Sequence, residues 1–412
     1  MNVLFVTIGR IDSIEAPGIY SDLLRCLRDQ GHSIYTISPN EKRTGRPTEY
    51  VHKNGTHILN VATGNITKVS NLIEKGISTL SVEPLFVQAM KQYFKDVRFD
   101  LVLYSTPPIT FCKAIAYIKK RDGAKTYLLL KDIFPQNAVD IGMMKKSGIK
   151  GLLYRFFRAK EKKLYAISDR IGCMSRANVD YVLRHNPEID PGRVEVCPNS
   201  IQVRDMSVTP DVRTELRRKY GIPQDKKVFV YGGNLGKPQG IPFLMECLDK
   251  ERNNPDAYFL IVGGGTEYKK LEGWFAENQP RNARLLQRLP KEDYDRLVAA
   301  CDVGLIFLDH RFTIPNFPSR LLSYMQAKLP VLCCTDPNTD IGKTCSDGGF
   351  GWGCESNDTA AFAAAVDAAL AADLPIMGDK GYAYLQANYT VQKGCHIMLS
   401  GLFGEEMISE TA

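Results

Sequence analysis

At 412 residues the chain exceeds what one hydrophobic core usually serves, and 44 per cent hydrophobic with 24 per cent charged residues describes a globular protein, not a disordered one. The net charge of +7 is unevenly spread: residues 1–200 carry 30 Lys/Arg against 19 Asp/Glu, or +11, and the remainder 23 against 27, or −4, so the first half either meets an anionic surface or is simply kept soluble by its charge. No apolar run approaches the ~18 residues of a membrane span, and eleven scattered cysteines give neither a zinc spacing nor a disulfide framework.

The start, Met1-Asn2-Val3-Leu4-Phe5-Val6, has no basic leader and reads as part of a strand at 3–8, which points to a cytoplasmic protein. An amphipathic helix follows at 17–30, stopped by Gly31-His32 before a strand at 33–37, with further strands at 101–104, 126–130 and 170–174. Their β-α-β rhythm, with strands too apolar for one exposed face, predicts a parallel sheet covered by helices. Tyr104-Ser105-Thr106-Pro107-Pro108 and Lys131-Asp132 fall at strand carboxyl ends, where parallel sheets place ligands. A lysine beside an aspartate equally suits a plain salt bridge. Residues 145–163 carry eight Lys/Arg and one acid, Glu161, with Ile149, Leu152, Leu153, Phe156 and Phe157 at helical spacing. Such a helix lies on an anionic membrane or packs its stripe on the core.

A second cycle begins after Pro198-Asn199-Ser200. The polar segment 201–223 leads into strands at 228–231, 258–262, 283–286, 303–307 and 331–334, and residues 381–402 read as one helix folding back across a cleft between two doubly wound units. Three turns in this half suit phosphate. Tyr231-Gly232-Gly233-Asn234-Leu235-Gly236-Lys237-Pro238-Gln239-Gly240 sits between a strand and a helix, and Gly263-Gly264-Gly265-Thr266 ends another strand. Pro318-Ser319-Arg320 opens a helix whose free N–H groups and Arg320 favour an anion. Each also has a purely structural reading as a tight turn or a proline-capped core helix. The spacings of a dinucleotide fingerprint, a phosphate-binding P-loop and a nucleophile elbow are missing. Asp293-Tyr294-Asp295 falls in a helical pattern and reads as surface, not as a metal clasp, and no aromatic interleaving marks a nucleic-acid binder.

Taken together, the segments KDIFPQNAVDIG (131–142), CPNSI (197–201), YGGNLGKPQG (231–240) and PSRLLSYMQAKLPV (318–331) resemble the retaining family-four glycosyltransferases of the GT-B fold, in their bacterial capsule and exopolysaccharide branch. The likeness covers nearly the whole chain. It implies an α/β fold of two Rossmann-like domains facing a cleft: an acceptor-binding domain at 1–200, a nucleotide-sugar domain at 201–385, and a C-terminal helix at 386–412 packing toward the first. It implies a nucleotide-sugar donor, with UDP favoured by family frequency, and a saccharide or polyprenyl-diphosphate-linked acceptor at the inner face of the cell membrane. No cofactor and no metal are implied. Gly232, Gly233, Asn234, Lys237, Ser319 and Arg320 carry over as diphosphate contacts, together with Gly263 and Gly264, and Arg288-Leu289 matches the loop whose backbone reads the base. Lys131 and Asp132 stand where many relatives have His-Asp beside the donor sugar, and Gly9, Ser105 and Thr106 fall on the acceptor side.

The departure from the pattern lies in the paired glutamates of the family, whose positions hold Pro315 and Ser323 here. A serine bonds a ribose hydroxyl without the strength of a charged acceptor. Asn234 and Gln239 likewise replace Arg and Lys, which shifts charge neutralisation onto Lys237 and Arg320. Retaining sugar transfer is the expected activity. The rivals are a nucleotide-binding scaffold without turnover and a sugar-nucleotide epimerase.

Overall fold

The computed structural model describes residues 1–66 and 72–404, without the side chains of residues 72–79 and 149–150. The chain divides into two compact units, Met1–Gln202 with Val391–Ala412, and Val203–Thr390.

The first unit is built on strands β1 (Asn2–Val6), β2 (Ser33–Glu41), β3 (Glu49–Lys53), β4 (Thr56–Thr63), β5 (Leu101–Ser105), β6 (Lys125–Leu130), β7 (Arg170–Cys173) and β8 (Val194–Val196), in the order β3-β4-β2-β1-β5-β6-β7-β8. All neighbours are parallel except β3 and β4, an antiparallel hairpin at the sheet edge. Its turn, Asn54-Gly55, has φ of 51° and 68°, the left-handed pair that matches the twist of the flanking strands. Neither the hairpin nor short β8 is expected from the sequence pattern, and β2 runs four residues further than its apolar run predicts. The central strands β5 and β6 are buried nearly end to end, as a sheet covered on both faces requires.

The carboxyl-terminal part of the chain forms two helices in place of the single one expected, Leu374–Asn388 and Val391–Phe403. The second joins the core of the first unit: Val391, Cys395, Met398 and Leu399 are buried with Val3, Phe5, Leu24, Leu27, Leu101, Leu103 and Leu129.

The second unit carries β9 (Lys227–Asn234), β10 (Ala257–Gly264), β11 (Ala283–Gln287), β12 (Val303–Phe307), β13 (Val331–Thr335) and β14 (Gly351–Glu355), all parallel, in the order β11-β10-β9-β12-β13-β14. The polar segment that precedes β9 contains a helix, Pro210–Lys219, started by Thr209 with proline in its first turn. That helix is tied to the sheet through Asp302, which accepts from Arg217 (2.5 Å), Arg213 (2.6 Å) and the Val228 N–H (2.7 Å). Among the described residues no single helix is long and apolar enough to cross a membrane.

Candidate functional site

The strand order of the second unit reverses direction between β9 and β12, and open α/β sheets bind ligands outside the strand carboxyl ends at such a reversal. β9 ends there in Gly232-Gly233-Asn234, facing Val262, Gly263 and Gly264 of β10 in register. The glycine-rich sequence predicts loops at these residues, yet they extend both strands. Missing side chains let the two backbones stay together: a Cβ on Gly263 would collide with the Gly233 carbonyl. Gly233 itself sits at φ +128°, a conformation that only glycine adopts without strain.

The helix Lys291–Ala299 presents Tyr294 to this place, close enough that a Cβ on Gly232 would strike its hydroxyl. Gly233, Val262, Gly263, Arg288, Leu289, Lys291 and Tyr294 enclose a cavity of about 320 Å³. Asp293 and Asp295, which flank Tyr294, pair with Lys219 (3.8 Å) and Lys291 (2.5 Å).

Arg320 opens the helix Arg320–Gln326, and its guanidinium stacks over the Tyr231 ring at 4.3 Å. Its Nη2 would come within 3.5 Å of a Cβ placed on Gly233, and its Nη1 is buried without a hydrogen-bond partner among the described residues. An unpaired buried guanidinium nitrogen is costly, so its position beside the glycine strand end calls for an anion. The platform is rigid. Tyr231 donates to the Asn234 carbonyl (2.8 Å), and the Tyr324 hydroxyl lies 3.1 Å from both the Val230 and Leu305 carbonyls. Burial pushes the Tyr324 phenol up to about 12, so it stays a neutral donor.

Ser319 is exposed and Ser323 half-buried on the same short helix. Lys237 is exposed on a one-turn 3₁₀ helix, Lys237–Gln239, and its ammonium has no partner among the described residues. Asn234 and Gln239 bond each other (3.0 Å), and Gln239 also accepts the Gly236 N–H (3.2 Å). They shape the turn and leave the ammonium of Lys237 available to a ligand.

In the first unit the reversal falls between β1 and β5. Gly9 lies just past β1, exposed, with its N–H on Thr7 Oγ1 (3.1 Å). Ser105 and Thr106 are buried. Thr106 Oγ1 accepts the N–H groups of Lys131 (3.1 Å) and Asp132 (3.2 Å) and donates to the Asp132 carbonyl (2.9 Å), so its hydroxyl is spent on holding that turn. Lys131 and Asp132 do not pair. Asp132 takes both oxygens to Asn137 Nδ2 (2.8 Å each), and burial raises its carboxyl to about 6. Lys131 Nζ lies 3.5 Å from the Cys197 carbonyl, beside a cavity of about 10 Å³ lined by Tyr20, Leu23, Leu129 and Met398, and burial lowers its ammonium to about 8.

The basic segment forms the helix Gly148–Ile167. Its apolar stripe is only partly packed: Phe157 meets Phe134, whereas Leu152 (58 per cent), Leu153 (50 per cent) and Phe156 (44 per cent) are exposed, as is Met143 just ahead of the helix. The side chain of Ile149 lies outside the described residues. Glu161, the one acid, is buried and paired with Arg158 (2.6 Å).

Sequence reasoning points to Arg320 through its place after Pro318, and not to Tyr294, whose only signal is its position inside a helix that reads as surface.

The chain is 27% identical over 323 residues, 78% of each chain, to the "Probable glycosyltransferase WbjE" of Pseudomonas aeruginosa. It is 25% identical over 250 residues, 60% of each chain, to WcaI of Escherichia coli (strain K12), by name a putative colanic acid biosynthesis glycosyl transferase. Its fold matches the crystal structure of Anabaena Alr3699/HepE in complex with UDP and glucose, with a TM-score of 0.67 and 14% identity over 100% of this chain and 99% of that one. Residues 20–205 match the model of Glycosyltransferase Family 4, and residues 212–380 that of Glycosyl transferases group 1. With both units accounted for and the parallel-sheet architecture in place, the chain belongs to the GT-B glycosyltransferases, family 4 in its first unit and group 1 in its second.

Proposed function

We propose that the protein moves a sugar, with retention of anomeric configuration and without a metal ion, from UDP onto a saccharide or lipid-linked saccharide during bacterial surface polysaccharide synthesis. The observation that carries the donor half is the buried Nη1 of Arg320, without a partner among the described residues, beside Gly233 at the strand reversal. A diphosphate there would accept from Arg320 and from Lys237, and both cations would offset the charge that develops on the leaving group. The neighbouring 320 Å³ cavity suits a nucleoside, with Arg288 and Leu289 at its edge. The UDP held by the Anabaena protein and the colanic acid in the name of WcaI support the nucleotide and the polysaccharide setting.

In this reading the acceptor hydroxyl attacks the anomeric carbon on the face the diphosphate leaves. The C–O bond to phosphate breaks as the new one forms, and the hydroxyl proton passes to the departing oxygen. No side-chain nucleophile is needed. Gly9 borders the acceptor, while Thr106 holds the turn of Lys131 and Asp132 and Ser105 is buried beside it.

Ser323 in place of a charged ribose acceptor favours a second reading, a scaffold that binds nucleotide without turning it over. Thermal shift against nucleoside diphosphates, followed by transfer assays over a donor panel, separates the two. UDP at 100 times its Kd stabilises by about 2.7 kcal/mol, visible as a rise of several degrees. No shift with UDP or GDP removes the donor site, and tight binding without transfer or hydrolysis leaves the scaffold.

The exposed Leu152, Leu153 and Phe156, framed by Lys145, Lys146, Arg155 and Lys163, support peripheral contact with the anionic inner face of the membrane by a cytoplasmic protein. Replacing Leu152 and Phe156 by serine is expected to lower sedimentation with anionic vesicles about tenfold. Equal recovery with neutral vesicles at every salt concentration would count against the contact.

A further inference from the structure

We infer that Asp336 and Thr339 are positioning residues for donor binding: a hydrogen-bond relay from the end of β13 that fixes the backbone leading into Arg320. The inference rests on the donor reading above and extends it to two residues that touch no phosphate themselves.

Residues 308–319 join β12 to the helix Arg320–Gln326 without a strand or helix of their own. So long a connection holds its terminal turn in place only where it is fastened. Its ties to neighbouring elements include three that matter here. The Asp309 N–H donates to the Pro238 carbonyl (3.0 Å), next to Lys237. Asn338 Nδ2 donates to the Phe312 carbonyl (2.7 Å). The Asn316 N–H, four residues ahead of Arg320, donates to Thr339 Oγ1 (2.9 Å).

That third tie works in one orientation. A threonine hydroxyl can donate or accept, and here its hydrogen must turn away from Asn316. Asp336 ensures this: its Oδ2 lies 3.0 Å from Thr339 Oγ1, and an ionised carboxylate only accepts. Its Oδ1 takes the N–H groups of Asn338 (2.9 Å) and Thr339 (3.0 Å), which hold the carboxylate at the strand end. The lone pair of Thr339 therefore faces the Asn316 N–H. Asp336 is 2 per cent exposed, so water cannot readily replace it.

The test uses the full chain, with UDP as probe and calorimetric Kd and thermal midpoint as readouts. Thr339→Val removes the relay atom. Thr339→Ser keeps it. Asp336→Asn is nearly isosteric and offers Thr339 an N–H, which turns the hydroxyl around. The expected result is a Kd raised about three- to tenfold in Thr339→Val and Asp336→Asn, with Thr339→Ser within about twofold of the parent. Unchanged Kd in Thr339→Val and Asp336→Asn overturns the relay. So does an equal loss in all three, because a merely structural loop would not be rescued by serine. Should Thr339→Val fail to fold, Asp336→Asn against Thr339→Ser decides. A parent protein that binds neither UDP nor GDP, or an Arg320→Met variant that binds UDP as the parent does, marks failure of the donor reading instead.

Discussion

Replacing Arg320 by methionine is expected to weaken UDP binding by about 30- to 150-fold, the equivalent of roughly 2–3 kcal/mol for charge-assisted hydrogen bonds made away from bulk water. The same change should leave the thermal midpoint of the free protein unchanged or slightly higher. Nη1 has no partner among the described residues, and the guanidinium is held by stacking on Tyr231 at 4.3 Å, a contact that methionine partly reproduces. A residue placed for folding would behave in the opposite way, losing stability first. Arg320→Lys keeps the charge but not the planar fork and should fall between the two. Calorimetric titration with UDP beside a melting curve reads both quantities, and a large drop in midpoint with intact affinity would refute the assignment.

Lys131→Met is expected to stabilise the protein by on the order of 2 kcal/mol at pH 7. Burial lowers the lysine from its ordinary 10.5 to about 8, and every tenfold loss of proton affinity is worth about 1.4 kcal/mol, so the gross penalty is roughly 3.5 kcal/mol. Against it stands one long contact, 3.5 Å to the Cys197 carbonyl. The sign follows from which state binds protons. Below about pH 8 both folded and unfolded chains carry the ammonium, and the whole penalty is present. Between about 8 and 10.5 the unfolded chain keeps a proton that the folded chain has lost, so the parent gains stability relative to the variant as pH rises. Chemical denaturation at pH 7 and pH 10 should show the advantage of Lys131→Met shrinking. A variant less stable than the parent at pH 7 would mean that the ammonium is better paired than its geometry indicates.

The alternation of apolar runs with helices makes both sheets readable, because strands buried on both faces leave little choice but a parallel sheet. What escapes is carried by weak or long-range signals. β3 is largely exposed and its residues Glu49–Lys53 have no apolar run. The break between the last two helices falls at Tyr389-Thr390, with no proline or glycine to mark it. Arg320 is legible because proline two residues earlier flags a helix start. Tyr294 and Asp336 are not, since each acts on a partner brought near only by the sheet: Gly232 in one case and, through Thr339, Asn316 in the other. The apolar stripe of Gly148–Ile167 is open to two readings on sequence, and only burial distinguishes Phe157 from Leu152, Leu153 and Phe156.

The helix Val391–Phe403 completes the interior of a unit whose other residues end at Gln202. On the ribosome, residues 1–202 therefore wait until residues 391–403 have emerged before their hydrophobic interior can close, while Val203–Thr390 can settle earlier. Expressing residues 1–202 alone would leave Phe5, Leu24 and Leu103 short of their covering helix, and an insoluble product is the natural outcome.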